Sequence, residues 1–313
     1  MRDATIRKLL ASLVLTLFLS TSGQARLQLY ARLQHYAQRF GQARPQHYAQ
    51  RCRQAKGHHE ASLDSPSRVR VTCTTTLLSA IVIAIGKDNV AVSTIVPFGM
   101  CPGHFDISPG EVEKIRTSDI VLAHGYERFL KKFTSNTFHG SDNRIIKICV
   151  EGNWMIPDIQ KTAAQKITGI LAEKLPHEEA ALHKNLSHYE NQIDRLVKNL
   201  QNTLAAFHGT PVACSKMNEE FVKWLGMNVV TTFPRDEDIS VKSMNRVITT
   251  ARKEKVKLVI NNQQSSGKVG KTIAYELGVP LVVLSNFPSL SKKGNPYIET
   301  LKRNCEAAKA ALN

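Results

Sequence analysis

The chain has 313 residues, 42% of them hydrophobic, which is ample for a sizeable core and for two lobes. The net charge of +16 suggests a polyanion partner, but half of that excess falls within the first 60 residues. What remains on the other 253 residues is a modestly basic surface, not a concentrated phosphate-binding stripe, so no nucleic-acid partner is expected.

Residues 1–25 read as a secretory signal peptide: a short basic segment, the apolar run "LLASLVLTLFLS", then small residues ending at Ala25. The run is too short to span a bilayer comfortably, and an exported, periplasmic protein is expected. Residues 26–67 form a second zone. Within it "QHYAQRFGQARP" returns after twelve residues as "QHYAQRCRQAKG", rich in Gln, Arg and Ala and poor in large apolar groups. Such a segment cannot bury much, and a disordered extension is expected.

From Arg68 strands and helices alternate. "RVRVTCTTT" and "DNVAVSTIVP" flank the apolar helix "LLSAIVIAIG". "SPGEVEKIRTSD" starts a helix at Ser108-Pro109, "DIVLAHG" is a strand, "ERFLKKF" a short helix, and "NRIIKICV" a fourth strand. The second half repeats the scheme with strands "TPVACS", "MNVVTTF", "VKLVINN" and "VPLVVLSN", and helices at 216–225, 240–254 and 268–277. Alternation of this kind predicts parallel sheets covered by helices. Between the halves, residues 177–207 carry apolar side chains at three- and four-residue steps with no Gly or Pro, which predicts one rigid helix roughly 45 Å long. The expected fold is α/β: an N-terminal lobe over 68–176 and a C-terminal lobe over 208–313, each a mainly parallel four-stranded sheet, joined by that helix.

In open parallel sheets ligands bind beyond the carboxyl ends of the strands. Those ends carry polar groups here: Cys101, His104 and Asp106 in "CPGHFD", Asn153 and Trp154 in "EGNW", then Cys214, Ser215, Asn262 and Asn286. Cys101 and His104 have the C-x-x-H spacing by which one turn presents a thiolate and an imidazole to one ion, with Pro102-Gly103 as the bend. Residues 265–272, "SSGKVGKT", imitate a phosphate loop with Ser265 in place of its first glycine, and no nucleotide is expected there.

The stretch "IVPFGMCPGHFDISPGEVEKIRTSDIVLAHG", with "GNWMIP" and "IAYELGVPLVVLSNFP", resembles the zinc- and manganese-type solute-binding proteins of ABC importers over residues 68–313. The resemblance implies two α/β lobes bridged by one helix, an exported monomer that is not an enzyme, a transition-metal ion as cargo, zinc first, and a membrane permease as partner. It puts the family's first metal-binding histidine on His104. It also implies three further ligands that are missing: Gly152 or Asn153 stands at the second, "CSKMNEEF" at the third, and Asn286 replaces the carboxylate at the fourth. Cys101 and Cys214 are the expected substitutes, giving a Cys, Cys, His set suited to zinc or copper(I). A disulfide between them, or plain burial, is the alternative reading of the same cysteines. A non-metal or metal-chelate solute, or a metal-dependent periplasmic enzyme, is the alternative reading of the cleft.

Overall fold

The computed structural model describes residues 68–130, 144–290 and 294–312. The expected signal peptide, the repeats of 26–57 and the last three residues of "ERFLKKF" lie outside them. The N-terminal sheet comprises β1 (Val69–Cys73), β2 (Val90–Thr94), β3 (Ile120–Ala123) and β4 (Ile145–Lys147), in the order β2-β1-β3-β4 with every pair parallel. The C-terminal sheet comprises β5 (Pro211–Ser215), β6 (Asn228–Phe233), β7 (Leu258–Asn262) and β8 (Leu281–Leu284), in the matching order β6-β5-β7-β8, again all parallel. The central strands carry the expected β-branched runs, and parallel strands covered on both faces leave no alternation of polar residues.

Helices fill both faces: α1 (Thr76–Gly86), α2 (Pro109–Thr117), α3 (Pro157–Lys174), α4 (Glu179–Phe207), α5 (Glu219–Trp224), α6 (Val241–Lys253), α7 (Lys268–Leu277) and α8 (Pro296–Leu312). Ser108 starts α2 through a capping box with Glu111, as Ser-Pro predicted. Helix α4 is 29 residues long and buries Leu182, Leu186, Tyr189, Ile193, Leu200 and Phe207 along one seam. That seam packs on α1 and α3 of the first lobe and on α8 of the second. One apolar core therefore runs through both lobes, from Leu78 and Ile81 across Ile193 to Leu258 and Leu301.

Polar ties accompany it. Gln160 Nε2 donates to Tyr189 Oη at 2.9 Å, Asn185 Nδ2 to the Ile85 carbonyl at 2.8 Å, and Tyr297 Oη to the Met155 carbonyl at 2.9 Å. Two smaller clusters close the outer faces, one around Val247 and Ile273, the other around Ile115 and Phe129. Helices α3 and α8 were not expected from the sequence. Their signals are present, a proline in the first turn of each and apolar steps such as Ile167–Leu171 and Leu301–Cys305.

The phosphate-loop imitation has a structural explanation. Asp236 Oδ2 accepts from Lys268 N at 2.9 Å and from the Ser266 hydroxyl, and Asp236 Oδ1 accepts from Val269 N at 3.2 Å. A carboxylate of the chain itself thus sits where a phosphate would sit on the start of α7.

Candidate metal centre

The two sheets point their carboxyl ends at a cleft of about 740 Å³. The loop after β2 enters it as a 3-10 turn, Pro102–His104, closed by a hydrogen bond from His104 N to the Cys101 carbonyl at 3.1 Å. Pro102 is buried, and Phe105 stands edge-on to Phe129 at 5.8 Å, so the turn is anchored from below. Cys101 and His104 both line the cleft. His104 Nδ1 accepts from Arg235 Nη1 of the opposite lobe at 2.8 Å, and Glu237 Oε1 lies 3.5 Å from the same nitrogen.

Cys214 does not join them. It is wholly buried in the core that holds Val212, Phe221 and Ile260, and that apolar setting pushes its thiol up to about 12. The expected third ligand therefore belongs to the packing of β5. Cys73 and Cys305 are likewise buried, their thiols pushed to about 12 by desolvation, and the five cysteines among the described residues are free. The Cys101–Cys214 bridge is absent.

Of the other expected cleft residues, Asn153, Trp154, Asn262 and Asn286 line it, whereas Ser215 is buried behind it and Asp106 is exposed outside it. Gly152 (φ +93°) turns the chain into this loop, and a side chain there would collide with Ile159, its nearest atom 2.5 Å away. Asn153 then crosses to the second lobe. Its backbone N–H donates to Glu220 Oε2 at 2.7 Å, and its Nδ2 donates to the Met217 carbonyl at 3.2 Å and to Asn286 Oδ1 at 3.1 Å. Asn286 Nδ2 donates to the same Met217 carbonyl at 2.7 Å. Two positions that the family resemblance assigns to metal ligands are thus spent on an amide bridge between lobes. Asn262, 4% exposed, has an Oδ1 without a hydrogen-bond partner. Among the described residues, no three His, Cys, Asp or Glu side chains converge in a way that could hold an ion.

The floor is built on β3. Glu127, 2% exposed, accepts from His124 N at 2.9 Å, from Gly125 N at 2.7 Å and from the Thr74 hydroxyl. That carboxylate shapes the loop so that His124 stacks on Tyr126, stands edge-on to Trp154 and shares a 2.8 Å hydrogen bond with Thr75 Oγ1. Desolvation in this stack lowers the His124 pKa to about 4, against the opposing pull of the Glu127 charge. The ring is therefore neutral at neutral pH. An unfolded histidine titrates near 6.5, so the unfolded chain takes up a proton that the folded one refuses between about 6.5 and 4. The contribution is intact above pH 6.5 and is lost as the pH falls. Urea titrations should show a loss on the order of 2–3 kcal/mol across that window, and His124→Gln should flatten the slope.

Arg235 and Met217 were missed in the sequence. Each lies two positions past a strand end, after Phe233 and Ser215, so the rule that flagged the loop residues beyond strand ends would have flagged them too. What no local pattern reveals is that Arg235 reaches a histidine 131 residues away.

Two parallel four-stranded sheets that face one cleft and share one long helix define a two-lobed binding body. The chain belongs to the family described as ZnuA, zinc-uptake complex component A, periplasmic, whose model matches residues 71–311. It is 26% identical over 168 residues to the high-affinity zinc uptake system protein ZnuA of Bacillus subtilis. That match covers 51% of this chain and 52% of the relative, so it spans about half of that relative's length. Identity is 19% over 273 residues to the manganese ABC transporter substrate-binding lipoprotein PsaA of Streptococcus mitis, covering 77% of this chain and 88% of that one. The periplasmic zinc binding protein TroA from Treponema pallidum matches in structure at a TM-score of 0.69 and 13% identity, over 79% of this chain and 99% of that one. At that identity the likeness is one of fold.

Proposed function

We propose that this chain is the substrate-binding component of an ABC metal importer, capturing a transition-metal ion in the cleft and passing it to a membrane permease. The observation that supports this most is the cleft itself, at the carboxyl ends of both sheets in a chain matched to the zinc-uptake family over residues 71–311. Cys101 and His104 are the donors offered from the first lobe, zinc is the expected cargo, and the chain acts as an exported monomer that binds rather than converts its ligand. No helix among the described residues is long and apolar enough to cross a membrane.

A second reading has support of its own. The cleft volume of about 740 Å³ lies in the range of small-molecule sites, roughly 300–1,000 Å³. Its walls carry Asn262, Gln264, Lys216 and Arg235, groups suited to a metal chelate or an organic anion.

Cysteine footprinting of the folded protein separates these readings. Iodoacetamide should modify Cys101 and exposed Cys149 while Cys73, Cys214 and Cys305 stay protected by burial. Added metal, zinc or copper(I) under reducing conditions, should shield Cys101 at least roughly tenfold in rate and leave Cys149 unchanged. Equal labelling of Cys101 with and without metal would remove the metal reading and leave the chelate or solute.

A further inference from the structure

Arg235 brings a permanent positive charge into the cleft with no carboxylate to answer it. Its Nη1 donates to His104 Nδ1 at 2.8 Å and its Nη2 to Met217 Sδ at 3.7 Å, an imidazole nitrogen and a thioether sulfur. Glu237 lies 3.5 Å from the same His104 nitrogen, yet among the described residues Arg235 joins no ion pair. The guanidinium is also firmly carried. Asp236, next in the chain, accepts from Lys268 N at 2.9 Å, from Val269 N at 3.2 Å and from the Ser266 hydroxyl, which fastens the segment after β6 to the start of α7.

The other charges on the cleft wall are mostly satisfied. Lys216 pairs with Glu219, which Lys223 also reaches at 2.7 Å, and Glu220 Oε2 accepts the Asn153 N–H at 2.7 Å. Arg128 and Glu151 line the cleft in no ion pair among the described residues. Two unpaired cations therefore share the cleft with one unpaired carboxylate, and the balance is positive. About 740 Å³ is also far more room than a bare ion needs. Trp154 Nε1 already donates to the Val150 carbonyl at 3.1 Å, so its ring, with Leu77 and Phe287, is left to meet a carbon skeleton.

From this arrangement we propose that the cleft binds a small organic carboxylate, gripped by the Arg235 fork with Arg128 as second cation, either free or holding a metal ion as its chelate. The proposal rests on the second reading above and names the chemistry of its ligand. A planar guanidinium meets a carboxylate through two parallel N–H···O bonds, about twice as strong as bonds to neutral acceptors. The ligand carboxylate therefore displaces the imidazole and the thioether from Arg235. No covalent bond changes.

The test uses the full-length protein without a histidine tag. Calorimetric titrations compare succinate, citrate, the uncharged trimethyl citrate, zinc chloride and an equimolar zinc–citrate complex. The expected result is that citrate or zinc–citrate binds and trimethyl citrate does not. Arg235→Gln should weaken that binding by at least roughly tenfold, and Arg128→Gln by about two- to fivefold. Arg235→Lys keeps the charge without the fork and should recover only part of the loss. Lys242→Gln, on the exposed face of α6, removes the same charge away from the cleft and should change nothing. Circular dichroism confirms that each variant is folded.

Binding of citrate by itself assigns a free carboxylate, and binding of zinc–citrate alone assigns the chelate. If trimethyl citrate binds as tightly as citrate, or Lys242→Gln costs as much as Arg235→Gln, the carboxylate grip falls while an organic solute stands. If no carboxylate binds and zinc alone binds the parent and Arg235→Gln equally, the proposal falls and the bare metal ion stands. Binding of none of the five overturns both.

Discussion

Replacing Glu127 with alanine is expected to destabilise the protein by about 3–5 kcal/mol. Three buried or half-buried donors aim at that carboxylate: the backbone N–H groups of His124 and Gly125 and the hydroxyl of Thr74. Each orphaned donor costs about 1–3 kcal/mol in desolvation with no hydrogen bond in return. Truncation orphans all of them at once and opens a void under the loop. Glu127→Gln retains one carbonyl acceptor and should recover roughly half of the loss. Urea unfolding measures both variants, and the expected signature is a lower midpoint at unchanged slope. A loss under about 1 kcal/mol for the alanine variant would mean that the loop after β3 does not depend on this carboxylate.

The second large effect is expected at Ile193, which is fully buried at the middle of α4. Ile193→Ala removes apolar surface and leaves a cavity, at a cost of about 2–5 kcal/mol for such substitutions. At roughly 2–4 °C per kcal/mol for a body of this size, the melting temperature should fall by about 10 °C. Calorimetry reads this directly. The exposed neighbour Asn191 on the same helix supplies the control, since Asn191→Ala should shift melting by little.

These two sites show how unevenly the molecule could be read from its residues. The seam of α4 was legible because Leu182, Leu186, Tyr189 and Ile193 keep helical spacing over many turns. Each of the eight strands among the described residues overlaps an expected β-branched run, because short buried strands have little other composition available to them. Helices α3 and α8 were overlooked because their mixed composition sets polar residues such as Gln160 and Asn304 among buried positions.

At the site, the turn that presents Cys101 and His104 was legible from C-x-x-H and Pro-Gly. The position of Cys214 was not, since Val212 through Ser215 are all buried and no alternation says which face looks to the cleft. Arg235, Met217 and the Asn153–Asn286 bridge were hidden for a different reason. Each depends on two lobes meeting, and sequence separation of 64 to 133 residues leaves no local trace of that meeting.

The core that runs without a break through α4 has a consequence for how the molecule comes apart. Each half repeats the same strand order, and a cut after Phe207 would seem to release two self-sufficient pieces. It would instead strip α8 of the α4 surface that covers it and leave that part of the α4 seam bare on the other piece, because Ile193 and its neighbours belong to both sides at once. Residues 66–313 should consequently melt in one cooperative transition, and neither half-chain should hold its shape alone. Repeated architecture here does not mean modular folding.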